Sequence, residues 1–336
     1  MKSLILLASL LASSLNAQTL INGAGATFPF PLYSKWFSEY QKQKPEVAIN
    51  YQSIGSGGGI RQFSDSTIDF GATDAPMNEE QIGKLKGPAM HFPTTLGAVV
   101  ISYNLPGIGN GLKLTGDVIA QIYLGTIKKW EDPKITSLNP GKKLAGDIVV
   151  THRSDGSGTS AVFTDYLAKV SPSWKEKVGQ GTAVNWPVGL GGKGNEGVAG
   201  LVKQTPGSIG YVEFIYAESN KLPYASLKNQ SGNYVLPSTQ SVTAAADANL
   251  KSIPEDFRVS ITDASGKDSY PLSSFTYILV YKTQSDATKG KILVDFLRWA
   301  VKDGQKFCEP LHYSKLPKSL VSKIEAKIET IETKKL

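Results

Sequence analysis

Two periodicities alternate along the chain. Short runs rich in β-branched and aromatic residues fall at Val47–Ile54, Thr67–Thr73, Gly146–His152 and Ser208–Phe214, and predict strands. Apolar residues three and four apart recur over Pro31–Gln43, Thr159–Val170 and Lys289–Gly304, and predict helices. Near the C-terminus Val321, Ile324, Ile328 and Ile331 share one helical stripe. Such alternation predicts an α/β fold with helices covering both faces of a sheet. No internal repeat and no low-complexity tract interrupts it.

Two distant segments share one pattern. "FPTTLGAVVISYN" (Phe92–Asn104) and "YPLSSFTYILVYK" (Tyr270–Lys282) each run from an aromatic residue through proline and small polar residues into a long apolar strand. On the plainer reading they are two ordinary buried strands. On the sharper one they are paired crossovers between two lobes, the first lobe being built from both ends of the chain. Hinges of that kind absorb closure in a few residues while the lobes move as bodies.

Length favours two lobes over one, since the chain has 336 residues. The opening "MKSLILLASLLASSLNA" is a lysine, an apolar stretch and a small-residue cleavage point, so Met1–Ala17 is expected to be a signal peptide. Gln18 rather than a cysteine stands directly after it, so no lipid anchor is expected. The single cysteine, Cys308, rules out an internal disulfide and is expected to pack as a small apolar residue. Burial alone must then stabilise the chain, and at ~300 residues about 75% of the unfolded surface can be buried.

The formal charge is +7, or +6 once Lys2 leaves with a leader that contains no acid. The lysines are scattered among acids, and no basic run is interleaved with aromatics. That pattern excludes a nucleic-acid groove and suits attraction of a small anion.

Three junctions offer a place for one. In "THRSDGSGTSAVFTDYL" (Thr151–Leu167) a strand gives way to a helix start, where unpaired N–H groups and the helix dipole attract negative charge. Gly156 and Gly158 allow close approach, Ser157 and Thr159 add hydroxyls, and Arg153 adds a planar fork. Asp155 would repel the ligand unless it holds the guanidinium. An N-cap behind a surface turn reads equally well. In "SIGSGGGIRQF" Ser56 and the amides after it form either an anion nest or a flexible turn. In "NGAGATFPFPLYSKW" Thr27 and Phe28 precede prolines and a helix, where threonine either caps or binds.

Asp74, in "DFGATDAP", follows a strand and is aimed at the same cleft. A carboxylate beside an anion is costly unless a proton lies between them. Phosphate still carries one near neutrality, its second ionisation lying at about 6 or slightly above; sulfate carries none. The alternative is an exposed turn or capping aspartate.

These stretches, with "IYLGTIKKWEDP", "WPVGLGGKGNEGVAG" and "GSIGYVEF", resemble the phosphate-specific substrate-binding proteins of bacterial ABC transporters over nearly the whole mature chain. The resemblance implies a two-lobed periplasmic binding protein of type II, with two crossover hinge strands and a ligand cleft between the lobes. Lobe I would comprise residues 18–95 and 275–336, and lobe II residues 96–274. It implies phosphate held by Thr27, Phe28, Ser56, Asp74, Arg153, Ser157, Gly158 and Thr159. Asp74 would take the phosphate proton and Asp155 would hold Arg153. It implies two permease subunits and their ATPase as partners, a periplasmic location, a monomer, and no metal, cofactor or catalysis.

Two departures stand outside that set: three glycines follow Ser56 where another serine often stands, and His152 occupies a place where a second arginine can occur. His152 is expected to be a strand-end residue without a ligand role, or one that tunes the local field. "GLGGKGNEG" (Gly189–Gly197) lacks the Gly-Lys-Ser/Thr ending of a nucleotide loop; it is expected to line the cleft rim or start a helix, outside the ligand contacts.

Two other functions compete with that reading. A secreted phosphatase would use the same pocket, but Ile54 and Asp155 occupy glycine positions that a Gly-x-Ser-x-Gly elbow requires. His91, His152 and His312 lack metal-ligand spacing. A receptor for another oxyanion, such as sulfate or molybdate, differs at Asp74.

Overall fold

The computed structural model describes residues 18–333; the expected signal peptide lies outside the described residues. Eight strands form its main sheet. In spatial order they are Val47–Ser53, Thr19–Gly25, Phe70–Thr73, Ser273–Tyr281, Ala89–Tyr103, Ser208–Glu213, Val149–Arg153 and Leu190–Gly192. The first three are parallel to one another, as are the last three. The two long strands between them run antiparallel to their neighbours.

Those two strands are the look-alike segments. Ala89–Tyr103 is 15 residues long, about the reach needed to serve two sheets in turn. Its first part pairs with Ser273–Tyr281, from Ala89 opposite Tyr281 to Ala98 opposite Ser273. From Val99 to Tyr103 it pairs instead with Ser208–Glu213. The chain therefore crosses from one half of the molecule to the other and returns along an adjacent strand. A register shift between Thr276 and Tyr277 interrupts the pairing; such bulges re-aim side chains.

Helices cover both halves for the expected reason. Phe30–Gln43 buries Leu32, Tyr33, Trp36 and Tyr40 on one face, and Trp36 Nε1–H donates to the Gly304 carbonyl at 2.8 Å. Ala287–Val301 packs on that helix and on Lys318–Ile328. The predicted terminal stripe is present, with Ile324 and Ile328 fully buried and Ile331 just beyond the helix end. Ile324→Val is expected to cost about 1 kcal/mol of stability in urea unfolding, the usual penalty for one buried methyl group.

Most limits differ from expectation by one to three residues. The Thr67–Thr73 strand begins only at Phe70, because Ser66 has φ +58° and the Asp69 carboxylate accepts from the Asn22 amide. The glycine run after Ser56 is not a flexible turn but the first turn of a helix, Ser56–Ser64. A Cβ on Gly59 would lie 2.4 Å from Gly25 Cα, so glycine lets this helix rest on the first strand. Cys308 is buried and packed in the core as expected.

Candidate functional site

In both halves the loops that leave the carboxyl ends of the parallel strands face the same cleft. That is where open α/β sheets place ligands. Thr27 follows the first strand, Ser56 the second and Asp74 the third; Arg153 through Thr159, and then Asn195, follow strands of the other half. The halves touch there. The Gly57 amide donates to the Gly156 carbonyl at 2.8 Å, and Tyr216 Oη–H donates to the Thr27 carbonyl at 2.6 Å.

Asp74 is neither exposed nor a cap. It is only 2% exposed, and its Oδ1 accepts from the Thr276 hydroxyl at 2.8 Å. Its Oδ2 is buried without a partner among the described residues. Burial pushes this carboxyl up to about 7, against the pull of the Thr276 hydroxyl, the Arg153 charge and the Ser56 hydroxyl. The Ser56 Oγ accepts from the Asp74 amide at 3.2 Å, which leaves the hydroxyl hydrogen free for another acceptor. Gly158 faces both groups: a Cβ there would lie 2.3 Å from Asp74 Oδ2 and 2.3 Å from Ser56 Oγ.

Across the cleft, Arg153 is 2% exposed. Its Nε and Nη2 donate to the two oxygens of Asp155 at 2.7 and 2.5 Å, and its Nη1 donates to Thr159 Oγ1 at 3.2 Å. A guanidinium has five N–H groups, so one hydrogen on each Nη remains for a ligand. Burial alone would raise the Asp155 carboxyl, but the guanidinium and the Gly194 amide hold it below its usual range. Asp155 thus grips the Arg153 guanidinium through both carboxylate oxygens.

Helix Gly158–Val170 starts beside this pair. Ser157 is its N-cap, the side chain accepting from the Ser160 amide at 2.9 Å, so the capping reading of Ser157 holds. The Gly158 and Thr159 amides are among the unpaired donors of the first turn. Thr27 does not cap. The N-cap of Phe30–Gln43 is Pro29, with no side-chain bond. Phe28 is fully buried; its carbonyl accepts from Tyr313 Oη–H at 2.6 Å, and its amide has no acceptor among the described residues.

One residue that sequence reasoning missed is Asn195. The Gly189–Gly197 stretch does start a helix, Gly194–Gln204, but it is not confined to the rim. Asn195 is fully buried, and its Nδ2 donates to Thr27 Oγ1 at 2.7 Å and to Thr159 Oγ1 at 3.1 Å. Thr276 was missed as well. His152 is half-buried in the strand and stacks on Trp186, with ring centroids 4.8 Å apart. His91 lies elsewhere, its Nε2 accepting from the Met77 amide; burial, with the Arg258 charge, pulls it down to about 4.

The arrangement is a buried set of donors around one unsatisfied carboxylate oxygen. A family model described as a PBP superfamily domain matches residues 12–303, which places the chain in the class of two-lobed binding proteins. The phosphate-binding protein PstS of Xylella fastidiosa is 48% identical over 91% of this chain and 84% of its own. That of Pasteurella multocida is 47% identical over 97% of this chain and 94% of its own. The crystal structure of an ABC-type phosphate transport receptor from Vibrio cholerae matches in fold, with a TM-score of 0.59 at 17% identity, covering 88% of this chain and all of that one. The chain belongs to the family of the PstS phosphate-binding proteins.

Proposed function

We propose that the chain is an exported receptor that closes on inorganic phosphate and delivers it to an inner-membrane ABC transporter. The observation that carries this reading is the buried, unpartnered Oδ2 of Asp74, set among hydrogen-bond donors. Phosphate presents acceptor oxygens to those donors and one proton to that oxygen; sulfate offers only the former. The ligand contacts are the hydroxyl of Thr27, the amide of Phe28, Ser56, Asp74, Arg153, and the helix start at Ser157, Gly158 and Thr159. Asp155 acts through Arg153.

Lobe I comprises residues 18–95 and 275–336, and lobe II residues 96–274. The shared long strands, changing partners after Ala98, support that division. The receptor works in the periplasm as a monomer, with two permease subunits and their ATPase as partners. The names of the relatives support phosphate and, for the Vibrio cholerae receptor, ABC-type transport. Among the described residues no helix is long and apolar enough to cross a membrane.

The chain is a receptor rather than a phosphatase. The Ser157 hydroxyl caps a helix, and among the described residues none of His91, His152 and His312 is bonded to a serine hydroxyl, which supports that reading. Calorimetry on ligand-stripped protein is expected to give micromolar or tighter phosphate binding, since several charge-assisted bonds contribute about 1.5–3 kcal/mol each. The same protein is expected to release no phosphate from an aryl ester. Absence of phosphate binding, or ester turnover that follows the purified protein, would overturn this reading.

Gly158→Ala supplies a smaller test. The added methyl group would press on Asp74 Oδ2 and Ser56 Oγ. Phosphate affinity is expected to fall by at least about tenfold, the cost of overpacking a tight site by 1–3 kcal/mol, while the thermal midpoint stays close to native.

A further inference from the structure

Asn195 holds a position that decides which way two hydroxyls point. Its side-chain Oδ1 accepts from the Glu213 backbone amide at 2.9 Å. A backbone N–H only donates, so this bond fixes the amide, and the NH2 group must face the opposite way. There it meets Thr27 Oγ1 from one half of the molecule and Thr159 Oγ1 from the other. Each hydroxyl has one hydrogen to give and two lone pairs.

Both lone pairs are occupied at each threonine. Thr27 Oγ1 accepts from Asn195 Nδ2 and from the Asn195 backbone amide at 3.3 Å. Thr159 Oγ1 accepts from Asn195 Nδ2 and from Arg153 Nη1. Neither hydroxyl is left able to accept anything further. We propose that Asn195 is a specificity-determining positioning residue, which makes the Thr27 and Thr159 hydroxyls obligate donors and joins the two halves when they close. This inference rests on the phosphate-receptor reading.

The consequence is a division of labour within one cavity. The two threonines can only donate, which leaves Asp74 Oδ2 as the acceptor for the hydrogen the ligand retains. A second ligand hydrogen would find no acceptor at either threonine. Asn195 therefore helps to count protons without needing to touch the ligand, and it ties the count to closure, because its two partners come from opposite sides.

Two variants test this by phosphate titration calorimetry. Asn195→Asp keeps the shape and the bond from the Glu213 amide but replaces the NH2 donors by an acceptor. The hydroxyls would then turn their hydrogens toward it and away from the ligand, and affinity is expected to fall by about 10²-fold or more. Asn195→Ala is expected to cost about ten-fold in the native background and less than about three-fold when Thr27→Val and Thr159→Val are already present, because coupled residues are non-additive. Equal cost in both backgrounds would assign Asn195 a merely structural role and overturn the inference, as would unchanged affinity in Asn195→Asp. Failure of the native protein to bind phosphate would instead overturn the receptor reading itself.

Discussion

Asp74→Asn is expected to admit sulfate. Asparagine keeps an oxygen for the Thr276 hydroxyl but turns the unpartnered Oδ2 into an NH2 donor. A fully ionised oxyanion then meets a donor where it had met a carboxylate. A site built around a matched hydrogen-bonding group rejects a ligand that lacks the partner by roughly 10⁴-fold, so sulfate affinity is expected to rise by about 10²-fold or more, with a loss for phosphate. Calorimetry with both anions checks it; a variant that still excludes sulfate would contradict the role given to Asp74.

The same substitution carries a stability signature of known sign. The folded protein holds the Asp74 carboxyl at about 7, above its ordinary value of 3.8. Between those values the folded state binds more protons than the unfolded one, so the ligand-free protein loses stability as pH rises through that window. The loss is up to about 4 kcal/mol, complete above pH ~7, and Asp74→Asn removes it. Urea unfolding is therefore expected to show the ligand-free variant more stable than native at pH 8, with the gap closing near pH 4. Glu213, raised well above its ordinary range by burial, adds a dependence of the same sign in both proteins. The buried Asp74 carboxyl thus costs folding stability above neutral pH, as desolvated groups commonly do.

Arg153→Met is expected to weaken phosphate binding by about 10³-fold. The guanidinium has two N–H groups free for the ligand once Asp155 and Thr159 are served. Two charge-assisted bonds at about 1.5–3 kcal/mol each give a loss of this size. Arg153→Lys is not expected to restore it, since one ammonium cannot grip a carboxylate, a hydroxyl and an oxyanion in a fixed plane. Calorimetry against phosphate, with thermal midpoints to confirm folding, measures both; affinity within ten-fold of native would remove Arg153 from the site.

The parts of this site that the sequence disclosed are those fixed by local rules. A helix start with Gly158 and Thr159, an arginine two residues from Asp155, and a lone aspartate after a strand each state their chemistry within a few positions. Asn195 and Thr276 do not. Asn195 reaches Thr27 across 168 residues of chain, and Thr276 reaches Asp74 across 202. Each is an ordinary residue in its own segment, an asparagine at a helix start and a threonine in an apolar strand, and acquires its role only when the sheet folds. The glycine run after Ser56 was legible as an anion nest or a turn but not as helix, because glycine's poor helix propensity is outweighed there by packing on the first strand. Thr27 illustrates the converse. Its position before a helix permitted capping, yet Pro29 takes that place and leaves the hydroxyl to Asn195.

The central claim is that a buried acid takes up the one hydrogen its ligand retains. A crystal structure grown in saturating phosphate tests it most directly. Asp74 Oδ2 is expected about 2.5–2.7 Å from a single phosphate oxygen, the length of a charge-assisted O–H···O bond. An Oδ2 rotated away from the anion, or separated from every phosphate oxygen by more than about 3.5 Å, would contradict it.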